Sequence, residues 1–290
     1  MNSLVSVIIP TYKRSNYILR AIKSVLNQTY ENIEIIVIDD NEVDDEFSKI
    51  TQNILKKLID SKRIIYIKHT TNKGISAARN TGIKMASGDY IAFLDDDDEF
   101  VPNKTELQLK IFNNSENDVG LVYGAYLQID DDNLDKELIV LPKIKNDVHS
   151  ILGLNHIGPP SMVMCTKLAV KKTGKFDELL NHKEDIDYYF RLSEYYRVSY
   201  TKEVIMRYHV HSGAASRNDA ERLTIMLRYL DKHKQKMIEP KIRWSELQER
   251  LGELYRLNNK KKEAFNAFFL AYIKRPLRLK ILAKMILSFY

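Results

Sequence analysis

Four aspartates in a row, Asp95 to Asp98, follow directly on the apolar run Tyr90-Ile91-Ala92-Phe93-Leu94. Carboxylates this close repel one another unless something positive sits among them. A hard divalent cation meets that need, because Mg2+ and Mn2+ take oxygen ligands and keep water and phosphate in their shells. Alternate side chains share a face in an extended segment, so Asp95 and Asp97 are expected to point together and Asp96 away. The competing reading is a solvated acidic turn; the apolar strand leading into the run favours the cation. Asp39-Asp40 ends a second apolar run, Ile33 to Ile38. Glu184-Asp185-Ile186-Asp187 opens an amphipathic stretch, where acidic residues also suit a helix start as plain dipole partners. Tyr208-His209-Val210-His211 brings two imidazoles ahead of small residues at 213–216, of the kind that closes over a ligand.

The elements that must position these groups alternate in period. Val5 to Ile9 reads as a strand ended by Pro10. Asn16 to Gln28 reads as a helix, with Ile18, Leu19, Ile22, Val25 and Leu26 on one face. Ile33 to Ile38 is continuous enough for a strand buried on both faces. A helix over 44–60, a strand over Ile64–Ile67, a helix over Ile75–Ala86 and a strand over Tyr90–Leu94 complete βαβ units with a parallel sheet. Ligands of such sheets bind at the carboxyl ends of the strands. There the sequence places Pro10-Thr11-Tyr12-Lys13-Arg14, Asp39-Asp40 and Asp95 to Asp98, so carboxylates gather at one edge. Beyond Pro102 the expectation is a helix from Glu106 to Phe112, a strand from Leu121 to Ile129 and an acidic loop from Asp130 to Asp135. A strand near Ser161 to Cys165 and a helix from Glu184 to Tyr196 follow.

Composition bounds the rest. With 290 residues, 44% hydrophobic and 29% charged, the chain is globular, with room for one large domain and an appendage. Its single cysteine, Cys165, lies in an apolar run and reads as a buried, inert thiol suited to a reducing cytoplasm. The opening apolar run is too short for a signal peptide, and no run approaches the ~20 residues that span a bilayer. The expected location is therefore cytoplasmic, with the inner face of the cell membrane within reach. Residues 241–290 hold twelve Lys and Arg against four Glu, which leaves the other 240 residues at −2 of the overall +6. A mildly acidic body excludes nucleic acid across the main domain, and the basic tail allows an anionic lipid surface or another acidic partner.

Four motifs in order carry a resemblance: Val-Ser-Val-Ile-Ile-Pro-Thr-Tyr at 5–12, Ile-Val-Ile-Asp-Asp at 36–40, Asn-Lys-Gly-Ile-Ser-Ala-Ala-Arg-Asn-Thr-Gly at 72–82 and Gly-Asp-Tyr-Ile-Ala-Phe-Leu-Asp-Asp-Asp-Asp at 88–98. Together they resemble the family-two glycosyltransferases of GT-A fold, an α/β class with a mostly parallel sheet, flanking helices and a nucleotide-diphospho-sugar site. The resemblance covers roughly 3–216. It implies a catalytic domain over 1–216, with a nucleotide-sugar half at 1–102 and an acceptor half at 103–216. Asp95 and Asp97 match the ends of the family's Asp-x-Asp motif, with Asp97 as direct metal ligand and Asp95 or Asp96 nearer the ribose. Asp39 matches the residue that reads the base, usually uracil, with guanine and thymine left open. Thr11 and Arg79 match positions lining the nucleotide pocket, Arg79 having a structural ion pair as its alternative. Asp185 matches the catalytic base, with Asp187 as second candidate, and Glu184 matches an acceptor contact. Tyr208, His211 and Ser216 fit a pattern in which the histidine completes the metal site or touches the diphosphate, His209 being the alternative. The implied reaction is inverting, Mn2+- or Mg2+-dependent transfer from a UDP-sugar to a saccharide or lipid-linked saccharide.

Residues 217–290 read as all-helical. Leu251, Gly252, Tyr255, Ala264, Phe268, Ala271 and Pro276 fall on tetratricopeptide spacing over 245–276, with Gln248 where the usual tryptophan would stand. One repeat cannot bury its own face, so it packs on the catalytic body, a second copy or a partner. Leu277 to Tyr290 is apolar nearly all round and is either buried or interfacial. The competing function is a non-catalytic nucleotide-binding adaptor that acts through these helices.

Overall fold

Seven buried residues in succession, Val5–Thr11, form β1. It runs parallel to β2 (Ile33–Asp39) on one side and β4 (Tyr90–Phe93) on the other, which is why its side chains are apolar on both faces. Pro10 does not end this strand as its type suggested; the pairing continues to Thr11 opposite Asp39. Even-numbered residues of β1 face β4, whose ladder stops where the Leu94 N–H meets the Ile8 carbonyl. The donor that proline lacks would have pointed past that end, so nothing is lost. The computed structural model describes residues 3–116, 118–133, 137–142, 155–211, 218–238 and 241–288.

Among these residues one nine-stranded sheet has the order β3-β2-β1-β4-β8-β6-β9-β5, with β7 paired to β6. The additional strands are β3 (Ile65–Lys68), β5 (Glu99–Phe100), β6 (Val119–Asp130), β7 (Glu137–Val140), β8 (Met164–Thr166) and β9 (Arg197–Val210). The first four in spatial order are parallel, as the βαβ alternation implies, and β6 and β9 are parallel to each other. The second half mixes directions, because β8 runs antiparallel to both β4 and β6, and β5 antiparallel to β9. Ser161 is not in a strand: Pro160–Met162 form a 3-10 turn and β8 begins at Met164. The pair Pro159-Pro160 fixes the backbone for that turn.

Helices α1 (Ser15–Leu26), α2 (Glu46–Asp60) and α3 (Ile75–Met85) connect the parallel strands. Ile18, Ala21, Ile22 and Val25 of α1 join Val5, Val7, Ile9 and Val37 in one core. Helix α3 lies closer to the sheet than a side chain allows: a Cβ on Gly82 would stand 2.3 Å from Ile8 Cγ2. That approach carries Arg79, on the same helix, into the interior. Helices α4 (Lys104–Asn113) and α5 (Lys167–Thr173) accompany the second half. Cys165 is buried beside Lys104; burial pushes the thiol up and lowers the ammonium to about 7.

The chain divides into two compact units, residues 1–144, 157–178 and 191–214 in the first, and 145–156, 179–190 and 215–290 in the second. Residues 179–190, expected in the catalytic domain, group with the C-terminal helices, and the expected boundary at 216 lies outside the described residues. Helix α6 (Glu184–Ser193) stops three residues before the expected Tyr196.

The second unit holds α7 (Asp219–Ile238), α8 (Lys241–Leu257), α9 (Lys261–Lys274) and α10 (Leu279–Leu287). Helices α8 and α9 form the expected pair. Leu251, Ala264, Phe268 and Ala271 are buried, and the Ser245 hydroxyl donates to the Ala271 carbonyl at 2.8 Å. Gly252 lets the Phe268 ring lie flush against α8, since a Cβ there would stand 2.6 Å from the ring. Gly252→Val should therefore destabilise this unit by about 1–3 kcal/mol through overpacking. A urea midpoint equal to that of the wild type would show that the two helices are not in close contact.

Candidate active site

Every strand that ends at one edge of the sheet delivers a polar group there. After β4 the chain makes a tight turn, with the Asp98 N–H bonded to the Asp95 carbonyl at 3.1 Å, and enters β5. The alternation expected for the aspartates holds across this turn: Asp96 and Asp98 are buried, whereas Asp95 and Asp97 keep side-chain exposures of 25% and 13%. Each inward carboxylate finds a hydroxyl. Thr11, at the end of β1, donates to Asp96 at 2.6 Å, and Ser161 donates to Asp98 at 2.6 Å while accepting from the Asp95 N–H at 3.0 Å. The His209 N–H also reaches Asp98, at 3.3 Å.

Each outward carboxylate finds a cation. Arg79 donates to Asp95 at 2.8 Å, and its guanidinium lies 5.6 Å from the centre of the Phe176 ring. Arg14, brought round by Lys13 in the left-handed region (φ 56°), bonds to Asp97 and lies 3.4 Å from Asp96. Arg20 donates to the Asp97 carbonyl at 2.6 Å. Burial raises Asp96 to about 7; Asp97 adds to the shift, and Arg14 and Thr11 oppose it. Burial, followed by the charges of Asp95 and Asp97, raises Asp98 well above the usual carboxylate range.

The two histidines of β9 and its end part company. His211 Nε2 lies 3.2 Å from Asp97 Oδ2, its ring is stacked on Tyr17 at 4.8 Å, and its buried Nδ1 has no hydrogen-bond partner among the described residues. The His209 ring is held between Asp131 at 2.6 Å and Glu99 at 2.9 Å. Burial works against its charged form, but these two carboxylates raise its pKa above the ordinary value. Tyr208 packs edge-on against Tyr126. Ser216, the small residues at 213–216 and Asp135 of the acidic loop lie outside the described residues.

Asp39 is fully buried at the end of β2. It accepts from the Asn41 N–H at 3.0 Å, the Asn41 amide at 2.7 Å, the Ser48 hydroxyl at 3.3 Å and the Tyr66 hydroxyl. Four donors match the acceptor capacity of a carboxylate. Asp40 accepts from His69 and from the N–H groups of Lys73 and Gly74, and so pins the loop ahead of α3.

The structure thus brings Thr11, Arg79, Asp95, Asp96, Asp97 and His211 together, with Asp39 on the strand beside Thr11. Glu184 and Asp185 belong to the other unit. Asp185 accepts from the Asn155 amide at 2.6 Å and from the Ile186 N–H at 2.7 Å, and Glu184 is buried. Asp187, the second candidate base, is fully buried, ion-paired with Lys232 and hydrogen-bonded to His233. Sequence reasoning missed Arg14, Arg20, Tyr17 and Ser161. Arg14 was findable as a basic residue at the strand-helix turn and Arg20 as one in the helix that follows, both facing an acidic run; nothing in the sequence marks Ser161.

Among the described residues no group of three or more His, Cys, Asp or Glu side chains is arranged to hold a metal. The donor set nevertheless fits one. Asp97 and His211 present a carboxylate oxygen and an imidazole nitrogen side by side, enough for a cation that draws its remaining ligands from diphosphate and water.

This edge and sheet are those of the GT-A fold. TarS of S. aureus in complex with UDP-GlcNAc superposes with a TM-score of 0.66 at 16% identity, over 98% of this chain and 89% of that one. A mannosyltransferase from Pyrobaculum calidifontis in complex with GDP-Man and Mn2+ gives 0.59 at 17% identity, over 99% and 81%. The model of glycosyl transferase family 2 matches residues 6–179. The chain belongs to that family. The Escherichia coli UDP-Glc:alpha-D-GlcNAc-diphosphoundecaprenol beta-1,3-glucosyltransferase WfgD is 34% identical over 190 residues, 66% of this chain and 69% of that protein. The chain spans 25%, 35% and 65% of the first curated relatives it matches.

Arg14 supplies positive charge to both Asp96 and Asp97. Arg14→Met should cost about 1–3 kcal/mol by leaving charge-assisted hydrogen bonds unmade. Added Mn2+ should then raise the melting temperature of the variant more than that of the wild type. Equal shifts in the two proteins would count against a cation at this position.

Proposed function

We propose that the protein transfers a sugar from a nucleoside-diphosphate sugar, with UDP as the nucleotide, to an acceptor hydroxyl, with inversion at the anomeric carbon. The observation that carries this reading is the paired arrangement at one edge of a GT-A sheet: Asp95 with Arg79, and Asp97 with Arg14 and His211. The base of the nucleotide lies on the Asp39 side, where Asn41 and Tyr66 are held in place by that carboxylate. Thr11, Arg79, Asp95 and Asp96 line the nucleoside and diphosphate pocket. Asp97 and His211 would hold Mn2+ or Mg2+, with Asp95 as a further metal contact. When bound, the divalent ion neutralises charge on the departing diphosphate.

Asp185 takes the proton of the acceptor hydroxyl. Hydrogen bonds from the Asn155 amide and the Ile186 N–H fix the orientation of its carboxylate, as a general base requires. Glu184 contacts the acceptor. The role of WfgD suggests a saccharide carried on a lipid diphosphate as acceptor and surface polysaccharide or glycoconjugate synthesis as setting.

Among the described residues no helix is long and apolar enough to cross a membrane. The second unit nevertheless exposes Phe269, Ile273, Leu277, Leu279 and Leu287 in a segment rich in Lys and Arg. Apolar side chains among cations suit the surface of an anionic bilayer, and a cytoplasmic protein acting on a lipid-linked acceptor would work there.

Calorimetric titration with UDP tests the donor half. Binding should require Mn2+ and should be lost in Asp97→Ala; metal-independent binding that survives the substitution would favour the nucleotide-binding adaptor. Co-sedimentation with phosphatidylglycerol vesicles should fall at least several-fold in Leu277→Asp/Leu279→Asp, and equal binding to phosphatidylcholine vesicles would remove the electrostatic part of the membrane reading.

A further inference from the structure

The first turn of α6 carries three acidic residues, Glu184, Asp185 and Asp187, and they differ in surroundings. Asp187 is fully buried. Its Oδ1 accepts from His233 Nε2 at 2.8 Å and from Lys232 Nζ at 2.8 Å, both on α7. The His233 ring is itself buried, edge-on to Phe190 of α6 at 5.3 Å and tilted against Tyr229 of α7 at 5.0 Å. Lys183, just ahead of α6, places its ammonium 5.5 Å from the centre of the fully buried Tyr229 ring. The far end of α7 is tied as well: the Asn258 amide, just after α8, donates to the Asp219 carbonyl at 3.0 Å. Residues 179–190 accordingly group with the C-terminal helices.

A fully buried carboxylate on a helix is an expensive fixture, because each partner lost weakens the compensation of a charge held away from water. Its effect here is directional. A helix is free to slide and rotate on an apolar surface, whereas two donors converging on one carboxylate oxygen two residues from Asp185 favour one azimuth and one height.

We propose that His233 and Lys232 are positioning residues for the transfer reaction, acting through Asp187 to hold the first turn of α6 and hence the Asp185 carboxylate in its working orientation. The C-terminal helices are then part of the catalytic apparatus rather than an appendage. The proposal rests on Asp185 being the base.

The test uses the full chain with UDP-glucose, UDP-galactose and UDP-GlcNAc as donors and water as acceptor, so that the natural acceptor is not needed. On the donor that the wild type hydrolyses fastest, His233→Leu and the near-isosteric Asp187→Asn should lower kcat on the order of 10²-fold, as expected for a reacting group displaced by about 1 Å. The donor KM and the calorimetric affinity for UDP should stay within twofold of the wild type. Lys232→Arg, which keeps the charge, should retain most of the rate. A general folding defect would instead reduce UDP binding in step with kcat, and that outcome overturns the proposal. So does a folded His233→Leu or Asp187→Asn protein with kcat within threefold of the wild type. Asp185→Asn, run alongside, separates the two claims. If it keeps wild-type hydrolysis, or if the wild type hydrolyses none of the donors, the reading of Asp185 fails. If it abolishes hydrolysis while His233→Leu does not, the positioning role alone falls.

Discussion

Like charges 4 Å apart repel by about 4 kcal/mol at the effective dielectric of a protein's outer layers, and the chain sets four carboxylates in succession just after β4. Much of the surrounding structure answers that one constraint. The turn divides the run into two inward and two outward groups, so that neighbours differ in burial. Thr11 and Ser161 supply hydroxyl donors to the inward pair, and Arg14 and Arg79 supply charge to the outward pair. These partners come from β1, the turn before α1, α3 and the 3-10 turn before β8. The site therefore has as much to do with the sheet's topology as with the aspartates themselves.

The same logic explains the tight fit of α3. Arg79 must be buried to reach Asp95 from beneath, and a buried guanidinium requires its helix to sit unusually close to the strands. Gly82 makes that approach possible by offering no side chain to Ile8. The loop before α3 is held down by Asp40 through two backbone N–H groups. A glycine, a carboxylate and an arginine spaced across some forty residues thus serve one hydrogen bond at the site.

The first half of this arrangement was legible in the sequence because its signals are local. Apolar runs of strand length alternate with amphipathic helices, and each run ends in the polar residues that line the edge. Pro10 misled only about where β1 stops, since the cost of proline depends on which neighbour its missing donor would have faced, a fact of pairing rather than of residue type. The second half was less legible. Strands β5 and β7 are short, and β8 reverses direction through contacts with β4 and β6 that no periodicity records. Ser161 was invisible for the same reason: a serine between two prolines and a methionine carries no mark of the carboxylate it will meet. The grouping of residues 179–190 with the C-terminal helices was not legible either, because the partners of Asp187 lie some forty-five residues later on a helix with its own pattern.

Cys165 adds a consequence of another kind. The chain's only thiol is fully buried in β8, and burial pushes its pKa up, so it is shielded from alkylating reagents while the sheet is intact. A cysteine introduced on an outer face of α9 would then be the sole labelling position on the folded molecule. A single fluorophore or spin label could be attached there with no need to mutate the native residue first. The internal thiol would remain as a built-in chemical clock, reacting only at the rate at which the sheet opens.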